Sequence, residues 1–480
     1  MQRRDFLQTM SLGATAGAMP GGVFGAEQPL NVLLITADDL LCSSVGAWGC
    51  PIPGITPNID RLAAQGTRFE HGHVTIAVCQ PCRECLMTGR YPTRNGAPGF
   101  NPIDTSVPTL QEQLHAAGYL NGILSKYIHL APEEKFCWDY AKKDRDLGMG
   151  RDPEKYYHAA TEYFAMAKNQ GKPFFLMANS DDPHRPFSGS LQEFQKWGNN
   201  KQGFPLPYAN RRFRPEEVVV PEFLPDIPEV RLEISEYYTS AHRCDETVGA
   251  VLRALDESGY ADNTLVMFLS DNGMALPYAK TNCYLNSTRT PWIVRWPGVV
   301  EEGCVDSNHM ISGIDYMPTI LDAVGLAQVP EMDGHSFVPV LQGENQPERS
   351  WVFTQFNTTS AKKTFYMRCM QDRQFGYIFN EWSDGETVFK NESQNGRTWQ
   401  AMTKAASSDP WIADRVEFYS KRIPEEFYDF RHDPNALRNL IDNPRYRTEI
   451  ARMRSALRHV LQSTGDPAFD AFQQKVPVSG

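Results

Sequence analysis

At 480 residues, 41% hydrophobic and 22% charged, the chain has the make-up of an ordinary folded protein and none of the bias of a disordered or fibrous one. That length exceeds what one core usually holds, so a large α/β unit with a smaller partner is the expectation. A formal net charge of −11 argues against a nucleic-acid partner while leaving room for an anionic substrate in a local basic pocket, and ten cysteines are too sparse for a disulfide scaffold.

The N-terminal segment MQRRDFLQTM sets Arg3-Arg4 before Phe6-Leu7, and a Gly/Ala-rich, weakly apolar stretch follows to Ala26. Residues 1–26 therefore read as a twin-arginine export signal, which directs a folded chain to the periplasm or beyond. Gln8, Thr9, Ser11 and Pro20 interrupt the stretch, so it does not serve as a membrane span, and no later run is apolar and long enough for one. NVLLITADDL then gives a continuous apolar run, Val32 to Ile35, ending in Asp38-Asp39. A run without alternation reads as a strand buried on both faces of a parallel sheet. ITPNIDRLAAQGTRF follows as a helix: Thr56 caps it, Pro57 takes its first turn, Gly66 ends it, and Ile59, Leu62 and Ala63 form its buried face.

The next motif is VCQPCRECLMTGRYPTRNG, Val78 to Gly96, in which Cys79, Cys82 and Cys85 stand at C-x-x-C-x-x-C spacing. Spacing alone leaves two readings open: a thiolate cage for zinc or an iron–sulfur cluster, or one nucleophilic cysteine with two bystanders.

Further apolar runs end in ionisable groups. YLNGILSKYIH delivers Lys126 and His129; Phe174 to Ala178 precede Asp181, Asp182, His184 and Arg185; Leu265 to Leu269 precede Asp271-Asn272; Trp292 to Trp296 give another strand. Sites in doubly wound folds form at the carboxyl ends of parallel strands, so four such endings suggest one convergent site within residues 27–350. Residues 351–480 change in texture. WVFTQFN, TFYMRCMQDRQFGYIFN and EEFYDFRHDPNALRNLI are short, aromatic-rich and turn-separated, which predicts an antiparallel sheet. A closing helix is expected over RYRTEIARMRSALRHVLQST, with Ile450, Met453, Leu457 and Leu461 on one face.

Adjacent aspartates repel, so if Asp38, Asp39, Asp271 and Asn272 converge, a divalent cation is the simplest way to hold them. All-oxygen ligands favour a hard ion, Ca²⁺ or Mg²⁺. Each motif alone also fits a strand end, a helix cap or a turn. Lys126, His184 and Lys280 offer the charge to steady a tetrahedral oxyanion.

Together these motifs resemble the type I sulfatases of the alkaline phosphatase superfamily. CQPCRECLMTGRYPTRNG is similar to their C-x-P-x-R signature with its T-G-R tail; Cys79, Pro81, Arg83, Leu86, Thr88, Gly89 and Arg90 fall on its defining positions. ADD, DPHRPF and SDNG follow the family's order, and the likeness runs from Asn31 to YDFRHDPNALRNL. MALPYAKTNCYLNSTRTPWIVRWPG most resembles the branch containing the N-sulfoglucosamine sulfohydrolases.

The resemblance implies an alkaline-phosphatase-like α/β fold: a mostly parallel central sheet between helices, with a smaller C-terminal domain. It implies that a formylglycine-generating enzyme oxidises Cys79 and that the aldehyde hydrate attacks the sulfate. It assigns Asp38, Asp39, Asp271 and Asn272, with residue 79, to a cation, preferably Ca²⁺. Arg83 would hold the hydrate, Lys126 and Lys280 the sulfate, and His184 with Lys280 would protonate the leaving atom. His129 would take the proton from the second hydroxyl, releasing sulfate.

Two departures stand out: Cys82 occupies a position the family usually gives to serine or another small residue, and the family's G-K-x-H becomes S-K with His129 one residue late. That shift requires a bulge after the strand. The expected substrate is a sulfate ester or N-sulfo group of an extracellular sulfated glycan. The rivals are a phosphodiesterase or phosphonate monoester hydrolase, and a non-catalytic glycan-binding protein should Cys79 stay unconverted.

Overall fold

The unbroken apolar runs become strands whose two faces both meet helices. The computed structural model describes residues 29–198 and 209–476, and the export pattern of residues 1–26 lies outside them. In chain order the first ten strands are β1 (Asn31–Ala37), β2 (Thr67–Phe69), β3 (Gly72–His73), β4 (Leu120–Leu124), β5 (Tyr140–Lys142), β6 (Phe174–Asn179), β7 (Thr264–Ser270), β8 (Trp292–Arg295), β9 (Cys304–Asp306) and β10 (Ile311–Ser312). Eight of them form one sheet in the order β5-β4-β6-β1-β7-β8-β2-β9, while β3 and β10 pair separately. Within the large sheet only β8 runs against its neighbours, β7 and β2.

Side chains of β1 alternate between two cores. Val32 and Leu34 face one of them, with Cys82, Cys85, Leu86 and Met87. Leu33, Ile35 and Ala37 face the other, with Tyr156, Tyr163, Val248 and Leu255 from the helices Pro153–Gln170 and Pro228–Ser258. This is the three-layer packing that burial on both faces demands.

The C-terminal part forms an antiparallel sheet in the order β11 (Trp351–Thr358), β12 (Thr364–Asp372), β13 (Phe375–Asn380) and β14 (Glu425–Asp429). The expected closing helix spans Arg447–Thr464 and buries Ile450, Met453, Leu457 and Leu461. Phe353, Met367, Tyr377 and Leu457 belong to the same apolar core as Val32 and Cys82, so this sheet is joined to the large one by continuous packing.

Three local expectations need correcting. Thr56 does not cap the helix Pro57–Ala64, because its hydroxyl serves Gly46 N–H and Asp60 instead. Asp245 of the long helix accepts from the N–H groups of Asn58 and Ile59 in its place. The helix also stops at Ala64, with Gln65 rather than Gly66 as its cap. Finally, two helices, Arg397–Ala405 and Pro410–Lys421, lie between β13 and β14.

Arg368 of β12 is fully buried, and its Nε donates to Asp466 Oδ2 at 2.8 Å just beyond the closing helix. Removing one partner of a buried ion pair strands the other charge. Asp466→Ala should cost about 3–5 kcal/mol in a denaturant titration, whereas the double variant Arg368→Met/Asp466→Leu should recover most of that loss. Equal losses for both variants would contradict this.

Candidate active site

Four adjacent strands, β4, β6, β1 and β7, run in parallel and deliver their following residues to one edge of the sheet. Asp38-Asp39 follow β1, Asp271-Asn272 follow β7, Ser125-Lys126 follow β4, and Asp181 to His184 follow β6. Backbone pairing continues past the strands, with Asp38 N–H donating to Asp182 O at 3.1 Å and Asp271 N–H to Ala37 O at 3.2 Å. Neighbouring strands lie about 4.8 Å apart, so carboxylates distant in sequence are forced together.

Asp38, Asp39, Asp271 and Asn272 are all buried. Asp39 takes φ 73°, a left-handed conformation that non-glycine residues adopt at a cost. Its N–H donates to Asp271 Oδ1 at 3.2 Å, and Asn272 Nδ2 donates to Asp39 Oδ1 at 2.6 Å. Asp38 Oδ1, Asp39 Oδ2 and Asn272 Oδ1 receive no hydrogen bond. Ligand atoms of Asp38, Asp39 and His184 lie within 4.8 Å of one another. Buried acceptors without donors are costly, and a hard cation would satisfy this oxygen-rich set.

Three cations press on the cluster. Arg83 Nη2 donates to Asp271 Oδ2 at 2.7 Å, while Nη1 donates to Thr36 Oγ1 at 2.7 Å and Asn179 Oδ1 at 2.6 Å. Lys126 pairs with Asp38 and lies 3.5 Å from Asp181. Lys280 pairs with Asp39 at 2.7 Å and also with Glu392. Burial alone would raise Asp38, but Lys126, His184 and Lys280 hold it well below the usual carboxylate range. At Asp39 and Asp271 burial prevails, aided by repulsion from Asp38, and both are pushed up to about 7. Burial opposes the charge of Lys280, yet Asp39 and Glu392 outweigh it and keep the ammonium protonated.

His184 is held below its ordinary pKa by burial and then by Lys280. Its Nδ1 lies 2.6 Å from the carbonyl oxygen of Arg185, so the neutral ring carries its proton there. Nε2 is then an acceptor, 4.0 Å from Asp39 Oδ2.

Cys79 is the first residue of the helix Cys79–Thr88, all of whose residues are buried. Burial pushes its thiol far above the ordinary range; Lys280 opposes this, and Asp38 and Asp271 add to it. A nucleophilic cysteine needs the opposite shift.

A family model described as Sulfatase matches residues 30–326. The chain belongs to the sulfatase family. A second model, for the C-terminal part of N-sulphoglucosamine sulphohydrolase, matches residues 276–384 of this sulfatase. The chain is 30% identical over 469 residues to N-sulphoglucosamine sulphohydrolase of Homo sapiens, covering 92% of this chain and 91% of that one. An ulvan-active sulfatase of Formosa agariphila is 26% identical over 490 residues, covering 92% and 76%. A solved protein in complex with its substrate D-glucosamine-2-N,6-O-disulfate superimposes with a TM-score of 0.66 at 17% identity, covering 92% of this chain and 99% of the other, a likeness of fold. The protein is a sulfuric ester hydrolase with the alkaline-phosphatase-like architecture of its relatives.

In this sulfatase Asp38, Asp39, Asp271, Asn272, Arg83, Lys126, His184 and Lys280 are thus brought into one cluster, with Cys79 beside it. Asp271 differs in one respect from a free ligand, because both its oxygens are already engaged, by Arg83 and by Asp39 N–H. The thiolate-cage reading of Cys79, Cys82 and Cys85 fails: among the described residues the one group whose ligand atoms converge closely enough to hold a metal is Asp38, Asp39 and His184. The shifted His129 reaches the site by another route than a bulge. Pairing with β5 continues only to Ser125, whose N–H donates to Lys142 O at 2.8 Å, and the extra residue is taken up by left-handed Ser125 (φ 58°) and Lys126 (φ 56°) and the 3-10 turn Tyr127–His129. Burial, Lys126 and Arg83 keep the His129 ring neutral.

Thr36 and Asn179, which hold Arg83, and Glu392, which reaches Lys280, are the participants that sequence reasoning missed. Polar residues closing apolar strands were a usable signal for the first two; Glu392 sits in KNESQNG, which has none.

On the Cys79–Thr88 helix, Glu84 Oε1 accepts from Gln80 at 3.1 Å while Oε2 has no donor, and burial pushes the carboxyl up to about 9. The folded state therefore keeps a proton that the unfolded chain releases. This group's contribution is fully present below pH 4.5 and is lost as pH rises to about 9, by up to about 1.4 kcal/mol per pH unit. Glu84→Gln should flatten the decline of the guanidinium midpoint between pH 6 and 9; parallel curves for variant and wild type would refute the assignment.

Proposed function

We propose that this sulfatase removes sulfate from a sulfated glycan outside the cytoplasm, using formylglycine at position 79 and a calcium ion held by Asp38, Asp39, Asp271 and Asn272. The observation that carries the reading is the set of buried oxygens lacking donors, Asp38 Oδ1, Asp39 Oδ2 and Asn272 Oδ1, beside the first residue of the Cys79–Thr88 helix. An N-sulfated glucosamine unit is the favoured substrate, supported by the similarity to N-sulphoglucosamine sulphohydrolase over nearly the whole chain. Export is supported by the arginine pair of residues 3 and 4, and no helix among the described residues is long and apolar enough to cross a membrane.

When present, the cation supplies positive charge against the reacting oxygens, and the aldehyde hydrate made by a formylglycine-generating enzyme supplies an oxygen nucleophile where the buried thiol has none. The chain's own residues do the rest. Arg83, pinned by Thr36, Asn179 and Asp271, presents a fixed guanidinium to residue 79. The helix start at position 79 favours negative charge there. Lys126 and Lys280 hold the sulfate oxygens, and the developing charge strengthens both contacts. Lys280, kept protonated by Asp39 and Glu392, gives its proton to the leaving oxygen or nitrogen. His184 shares that task only as the imidazolium, since its neutral ring keeps its proton on Nδ1 against Arg185. His129, neutral and with Nδ1 unpartnered, accepts the proton that accompanies sulfate release.

The tryptic peptide Phe69–Arg83 from the exported protein should carry an aldehyde in place of the Cys79 thiol by mass spectrometry; an intact thiol would overturn the reading. Cys79→Ser should still bind sulfated sugar while kcat falls by at least about 10³-fold. Chelation should abolish turnover and lower Tm by several degrees, with Ca²⁺ restoring both. In Asp271→Ala the Tm should no longer respond to Ca²⁺.

A further inference from the structure

The C-terminal part of the chain contributes one charged group to the sulfate-binding cluster, and its placement is built rather than incidental. Glu392 opens the 3-10 turn Glu392–Asn395. Just before it, Asn391 Oδ1 accepts from Ser393 N–H at 2.8 Å, and Asn391 Nδ2 donates to Tyr419 Oη at 3.0 Å. Just after it, Gly396 packs so closely on Arg185 that a Cβ there would stand 2.0 Å from Nη2. Glu233 of the long helix then accepts from the N–H groups of Arg397 at 3.2 Å and Thr398 at 2.5 Å. The turn is thus fastened on one side to the C-terminal helix Pro410–Lys421 and on the other to the catalytic part.

Lys280 engages only one oxygen of Glu392, Oε1, and among the described residues no donor engages Oε2. The side chain is 30% exposed and faces a cavity of about 490 Å³ lined also by His184, Arg185, Gln192, Gln195, Lys196 and Asn395. That volume suits a small ligand; Arg185 is already paired with Glu233 and the Lys196 ammonium lies over the Trp197 ring, so the amides and the Glu392 carboxylate are the groups left to read hydroxyls and amines. Glu392 shares the support of Lys280 with Asp39, which pairs with that ammonium at 2.7 Å, but it spends only Oε1 on it and keeps Oε2 for the cavity. A second carboxylate beside an anion-binding seat weakens the seat for sulfate itself. What it gains is discrimination over what stands next to the sulfate.

We propose that Glu392 reads the substituent on the carbon adjacent to the sulfated one: Oε2 accepts a hydrogen bond from a free hydroxyl or amine there, and its charge turns away a second sulfate or a carboxylate at that position. The inference rests on the sulfatase reading of the site and deepens it, since it names the substrate class as sugars sulfated at one position with an uncharged or cationic neighbour.

The test compares wild type with Glu392→Gln on glucosamine 2-N-sulfate, on glucosamine 2-N,3-O-disulfate, whose added sulfate is adjacent, and on the remote 2-N,6-O-disulfate; 4-nitrophenyl sulfate reports the reaction without any neighbour. Wild type should favour the 2-N-sulfate over the 2-N,3-O-disulfate by at least about tenfold in kcat/KM, because the added sulfate brings a like charge against Glu392. Glutamine keeps the size and the acceptor but not the charge, so this ratio should fall at least about fivefold, chiefly through KM, with the 6-O control moving less. If the variant loses activity on all the sugars in parallel, Glu392 merely supports Lys280 and the inference falls. It also falls if the aryl ester is hydrolysed but no sugar is. If wild type hydrolyses neither aryl ester nor sugar, the functional reading itself is at fault, and the inference goes with it.

Discussion

The structure turns on carboxylates that cannot stand next to one another unaided. Asp38 and Asp39 are consecutive, Asp271 lies on the neighbouring strand, and all are sealed from water. At such distances and in such surroundings two like charges repel by several kcal/mol, far more than a surface pair. Arg83, Lys126 and Lys280 each face one of the three, and they leave acceptor oxygens over. The left-handed backbones at Asp39, Ser125, Lys126 and Thr281 follow from the same demand, since each turns the chain sharply where a charged group must be aimed.

The topology explains how residues from distant stretches come to the same place. Parallel strands put all their carboxyl ends on one edge, and β8 is the exception that matters. Because it runs antiparallel to β7, the chain between them leaves and re-enters the sheet at the same edge, so Lys280 stays over the site instead of being carried to the far side. Gly273 makes that return possible: a Cβ there would lie 2.0 Å from the carbonyl oxygen of Asn286. The glycine of SDNG is thus required by the close approach of backbone, while the aspartate and asparagine before it face the site.

What the sequence disclosed follows the same logic. Strand ends were legible because unalternating apolar runs mark buried sheets, and four of them closing in ionisable residues pointed to one place; Asp38, Lys126, His184 and Asp271 were all found this way. The cysteine motif needed the family likeness, since spacing alone also described a metal cage. Thr56 misled because a hydroxyl before a helix has several possible partners, and the nearer backbone of Gly46 won. The helices Arg397–Ala405 and Pro410–Lys421 and the turn that bears Glu392 were illegible, because contacts formed with Glu233 and Arg185, far away in the chain, fix where they lie.

The burial of Cys79 sets an order of events. The residue is 4% exposed, on a helix whose residues are all buried. So small an opening admits water or the sulfate end of a sugar but is closed to another protein. An enzyme that alters this cysteine therefore meets it on a chain not yet folded. On the proposed formylglycine reading, the share of active molecules is then set while the chain is being made.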